Sequence, residues 1–129
     1  MALVYECAEA EHLVRLTVTG EMTDEIVTEL WMKGLSVSTT LSSYKGIVDL
    51  SGVSRFSVTP RVIELIAKRE SIDLSVRVFV APSDFIYGSI RMFQILSEKT
   101  RKNLHVVRTM QDAYKLLGVE SPQFVPLTL

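Results

Sequence analysis

The chain has 129 residues, 47% of them apolar, and 14 Lys plus Arg against 15 Asp plus Glu give a formal net charge of −1. That length and apolar share suit one domain with its own core and exclude a disordered chain, and the near-neutral balance excludes a global electrostatic pull on nucleic acid. The lone cysteine, Cys7, excludes an internal disulfide and a cysteine zinc cage, and it fits a reducing compartment.

Residues 2–8 and 11–19 read as two strands joined through Glu9-Ala10-Glu11, a hairpin. The opening residues Met1 to Glu6 lack a basic region followed by a long apolar one, so no signal peptide is expected. No apolar run approaches the length of a membrane span, and the expected location is cytoplasmic. Gly20 is expected to end the second strand. Thr23 then offers a hydroxyl N-cap, and Asp24 and Glu25 put negative charge in the first helical turn. Ile26, Val27, Leu30 and Trp31 follow at helical spacing, so a helix to about Gly34 is expected, then a polar stretch from Ser36 to Ser43.

Gly46 to Leu50 is a short apolar run of the kind found in strands buried on both faces, and Ser51-Gly52 is expected to end it. Thr59-Pro60 is a helix start, with a hydroxyl at the N-cap and a proline where no N–H is needed. Val62, Ile63, Leu65 and Ile66 make that helix apolar. Val76 to Val80 is the next strand, and Pro82-Ser83-Asp84 opens a helix over 83–99, with Lys99, Arg101 and Lys102 near its end. Leu104 to Val107 is the last expected strand. Thr109 caps a final helix that ends at Gly118.

The expected order is β-β-α-β-α-β-α-β-α, an α/β fold with a mostly parallel five-stranded sheet and four helices. The expected domain spans 1–120, and the residues from 121 to 129, with Pro122 and Pro126, are expected to form an irregular tail.

Three stretches resemble a known family: Ile47-Val48-Asp49-Leu50-Ser51-Gly52-Val53; Val78 to Asp84 running into Tyr87-Gly88-Ser89-Ile90-Arg91-Met92-Phe93; and Val106-Val107-Arg108-Thr109 with Asp112-Ala113 and Leu116-Leu117-Gly118. Together with the element order they are similar to the SpoIIAA-like family of bacterial proteins in the STAS superfamily, the fold of anti-sigma-factor antagonists. The resemblance implies a regulatory or protein-binding module. Antagonists of the partner-switching type resemble one another at a phosphorylatable Asp-Ser-Ser/Thr-Gly turn. Here that place reads Ser57-Val58-Thr59-Pro60, and Thr59 is the hydroxyl placed to stand in as a phosphosite.

Catalysis needs a nucleophile with a base, paired carboxylates or a metal cluster. None of these is legible, so no catalytic residue, no metal site and no cofactor is expected. His12 and His105 read as strand residues, and Asp49 as the cap of its own turn. The expected binding site is the carboxyl edge of the parallel strands, where the loops from Ser51 to Thr59 and from Pro82 to Asp84 lead into helix N-termini. Thr59, Ser57, Ser83, Asp84, Tyr87 and Arg91 are its candidate residues, with Tyr87 and Arg91 one turn apart on one helical face.

The helix over 83–99 is apolar nearly all round, so Phe85, Met92 and Phe93 are candidates for an interaction surface. The expected partner is a protein or a second copy in a homodimer. The competing reading is a carrier of a small amphipathic, lipid-like ligand held between the second and third helices, since STAS-like folds resemble lipid-carrier domains in outline.

Overall fold

Strand β1 (Ala2–Ala8) turns through a single 3-10 turn (Glu9–Glu11) into β2 (Leu13–Met22). His12 closes that turn in the left-handed region, φ 51°, and its N–H donates to the Glu9 carbonyl at 3.1 Å. The two strands pair antiparallel from Ala2 opposite Thr19 to Ala8 opposite Leu13. The structure is a computed structural model and describes residues 2–30, 43–69, 76–98 and 103–127. Within it, helix α1 occupies residues 24–30, followed by β3 (Lys45–Phe56), α2 (Pro60–Ala67), β4 (Arg77–Val80), α3 (Asp84–Leu96), β5 (Leu104–Val107), α4 (Met110–Leu117) and β6 (Val125–Pro126). Trp31, the expected helix end at Gly34, the polar stretch from Ser36 to Ser42, and Lys99, Arg101 and Lys102 lie outside the described residues.

The strands form one sheet in the order β5-β4-β3-β2-β1-β6. The β2–β3, β3–β4 and β4–β5 pairs are parallel, and the β1–β2 and β1–β6 pairs are antiparallel. Two expectations are corrected here. Among the described residues the sheet has six strands rather than five, because the chain returns after α4 and pairs Val125 with Cys7 and Pro126 with Glu6. The stretch expected to be irregular therefore supplies an edge strand, and proline is tolerated there because an edge strand has one unladdered side.

The second correction concerns β3. The residues from Ser51 to Phe56 continue the strand and do not form a loop. Thr17 pairs with Asp49 but Thr19 with Gly52, and Gly20 with Val53 but Glu21 with Arg55, so β3 carries extra residues at two bulges. Asp49 accepts hydrogen bonds from the Ser51 N–H, at 3.0 Å, and from the Ser51 hydroxyl, so it caps a bulge and not a strand end. Gly20, expected to end β2, lies inside it at φ 85°. Gly52 is required by close approach: a Cβ there would lie 2.8 Å from Thr19 Cγ2.

The sheet is covered on both faces. Ile26 of α1, Ile63 of α2 and Ile86 and Ile90 of α3 pack in one cluster with Leu16, Val18 and Leu50. Ala113 and Leu117 of α4 pack in the other with Leu13, Ile47, Val78 and Val80. Alternation along β3 and β4 sends Ile47 and Val78 to one face and Val48 and Phe79 to the other. α3 is tied over β4 and β5: Gln94 donates to the Leu104 carbonyl at 2.8 Å, and the Phe93 ring meets Phe79 edge-on at 6.0 Å.

Candidate functional site

All four parallel strands end at the same edge, and each feeds a helix through a turn whose last residue carries a hydroxyl. Thr23, Thr59, Ser83 and Thr109 accept from the N–H groups of Ile26, Val62, Ile86 and Asp112 at 3.4, 3.4, 3.3 and 3.1 Å. Four helix N-termini at one edge create a positive field that favours anions. The chain supplies its own. Asp24, Asp84 and Asp112 occupy the first turns of α1, α3 and α4.

α2 has no acid in its first turn, and Asp24 of the neighbouring helix takes that role. Its carboxylate accepts from the Thr59 N–H at 2.8 Å and from the Thr59 hydroxyl at 3.1 Å. The Thr59 side chain therefore donates to Asp24 while it accepts from Val62. Ser57 donates to Glu21 at 3.0 Å, and Arg55 stands 3.7 Å from the same carboxylate. Ser57 and Thr59, two residues apart, thus sit on two different acids.

The other half of the edge is organised by Arg108, directly after β5. Its guanidinium donates to Asp84 at 2.6 Å and to the Pro82 carbonyl at 3.3 Å, and lies 4.0 Å over the Tyr87 ring. Ser83, Asp84 and Tyr87 are brought together there. Arg91 is exposed and donates to Gln94, away from Tyr87, so the two candidates on one helical face have different partners.

The apolar part of the site lies on the outer face of α3. Phe85 is 67% exposed and touches Phe56 edge-on at 5.9 Å. Ile95 and Leu96 are also exposed. Met92 is half-buried and, like Phe93, packs in part against the core cluster. Phe93, the third candidate for that surface, packs on Phe79 at the edge of the core, so Ile95 takes the open position instead. Sequence reasoning missed Asp24, Glu21 and Arg108 as members of this edge. A signal existed for Arg108, since it follows a parallel strand at the edge where α/β sheets place such residues.

Elsewhere, Cys7 is buried, and burial first and the Glu9 carboxylate second push its thiol up, which keeps it protonated. His12 stacks on Tyr44 at 4.9 Å, and the Tyr44 hydroxyl donates to Glu9 at 3.2 Å. Among the described residues no group of three or more His, Cys, Asp and Glu is arranged to hold a metal ion. No helix among them is long and apolar enough to cross a membrane.

No protein-family model matches the sequence, and no curated protein matches it. A solved structure does match the fold: an uncharacterized protein of the DUF3478 family with a SpoIIAA-like fold from Shewanella loihica PV-4. It superposes with a TM-score of 0.58 over 90% of this chain and 92% of that one, at 11% sequence identity. The chain has a SpoIIAA-like fold.

Proposed function

We propose, on the premise of that fold, that the chain is a non-catalytic regulatory module that works by binding another protein through the outer face of α3, the helix that begins at the carboxyl edge. The observation that carries this reading is Phe85. A ring 67% exposed on a helix whose other side fills the core is expensive to leave in water, at about 25 cal/mol per Å² of apolar surface. Ile95 and Leu96 extend the same open surface.

The titratable groups of the edge support binding over chemistry. Asp24, Glu21 and Asp84 are each engaged by a hydroxyl or a guanidinium, and each of those contacts closes the edge on itself. The reading of a carrier for a small amphipathic ligand draws less support. The residues between α2 and α3 that would line a slot, among them Val62, Ile63, Ile86 and Ile90, pack into one cluster with the sheet.

The test is a photo-crosslinking amino acid placed at Phe85, and at Leu116 on α4 as a control, in the living source cell. A discrete protein adduct at position 85 and none at 116 is expected. No adduct at 85, or the same adducts at both positions, would refute the reading.

A further inference from the structure

The outer face of α3 carries an open apolar stripe with an acid and a base beside it. Phe85, Gly88, Met92 and Ile95 follow one another at steps of three, four and three residues, which lays them along one stripe of the helix. Three of them carry apolar side chains that are exposed or half-buried, and at the fourth, Gly88, the helix surface is open: a Cβ there would meet nothing within 4 Å. Asp84 and Arg91, seven residues apart, flank the stripe on one side, and both are exposed. The Asp84 side chain is 97% exposed even while Arg108 holds one of its oxygens.

From this arrangement, and resting on the reading of α3 as the binding face, we infer that the partner is a second copy of this chain, docked α3 against α3 in antiparallel, two-fold fashion. A two-fold contact must be self-complementary, because each residue pair occurs twice. Crossing the helices near residue 87 lays Phe85 of each copy over the open backbone at Gly88 of the other. The same symmetry sets Asp84 of each copy opposite Arg91 of the other. Shape and charge select one register. A parallel two-fold pairing would instead put the flanking charges of the two copies on opposite sides of the interface, and neither Asp84 would meet an Arg91. Glycine at the crossing also lets the two backbones approach closely, as small residues do wherever helices cross tightly.

The experiment is sedimentation velocity on the full, purified chain at low and high micromolar concentration. A species of twice 14.5 kDa is expected. Phe85→Ala and Gly88→Leu, which remove the ring and block the backbone it would cover, should each weaken self-association about tenfold or more. Gly88→Leu improves helix propensity, so its fold is not in question. Arg91→Glu alone should weaken the dimer, and Asp84→Lys with Arg91→Glu should restore it in part. A monomer at every concentration overturns the inference, as does a dimer that ignores both Phe85→Ala and Gly88→Leu. A purified monomer that still gives a foreign-protein adduct at position 85 in cells overturns only the dimer and leaves the binding module standing.

Discussion

The carboxylate of Asp24 grips Thr59, 35 residues away, by both its backbone N–H and its hydroxyl. One acid at the start of α1 thereby completes the cap of α2. Asp24→Ala is expected to lower stability by about 1 kcal/mol, since the bonds are charge-assisted but exposed. Thr59→Ala should cost about 1 kcal/mol through the cap as well, and the double mutant should cost less than the sum. Urea midpoints of the four proteins measure this.

The same contact governs what a negative group at Thr59 would do. Thr59→Glu sets a second carboxylate against Asp24, and a phosphoryl group would do so more strongly. Thr59→Glu should therefore destabilise the native chain more than it destabilises an Asp24→Asn background. Equal losses in the two backgrounds would mean that Asp24 does not sense charge at position 59.

Gly52 lies where β3 bulges toward β2. Gly52→Ala is expected to cost about 1–3 kcal/mol, because the new methyl meets Thr19 Cγ2 at 2.8 Å and the Val18 carbonyl at 3.3 Å. Thr19→Ser removes that methyl, so adding it to Gly52→Ala should recover part of the loss in a thermal melt. A simple sum of the two effects would show that the clash is not the cause.

Burial pushes the Tyr5 phenol up to about 12, and the Glu29 carboxylate adds to the shift. Its buried hydroxyl has no hydrogen-bond partner among the described residues. Unfolded tyrosine loses its proton near pH ~10, whereas the folded chain holds this one to about 12. Between those values the native state binds more protons, so stability present below pH ~10 is lost as the pH rises through that window. Tyr5→Phe should flatten this alkaline decline in melting temperature. At neutral pH it should be neutral or stabilising, because it removes an unmatched polar group.

Arg108 joins the end of β5 to the start of α3. Arg108→Ala should cost about 1 kcal/mol, most of it from the contact with Tyr87, because the ion pair with exposed Asp84 is screened. Arg108→Lys should keep less than half of that contribution, since an ammonium does not stack flat on a ring while reaching a carboxylate. Full retention by lysine in chemical denaturation would assign the effect to charge alone.

The helix starts were legible because their signals are local. Thr59-Pro60, Ser83-Asp84 and Thr109 cap α2, α3 and α4 where the sequence places them, and Gly118 ends α4 in the left-handed region at φ 70°. The strand from Leu104 to Val107 was equally plain, bounded as it is by a polar residue on each side. The far half of β3 was not legible. Ser51, Gly52 and Ser54 carry turn composition, and only pairing with Thr19, Gly20, Glu21 and Met22 holds them extended.

By itself, then, the sequence determined the helix caps, the alternation of strands with helices and the apolar character of α3, all of which depend on neighbours within a few residues. The tertiary structure alone decided the sixth strand, the bulges of β3, the hold of Asp24 on Thr59 and of Arg108 on Tyr87, and which side of α3 stays open. Each of these joins residues that are distant in the chain, and local propensity carries no information about which distant groups will meet. That pairing is set by the register of the sheet and by the packing of three helices on one of its faces.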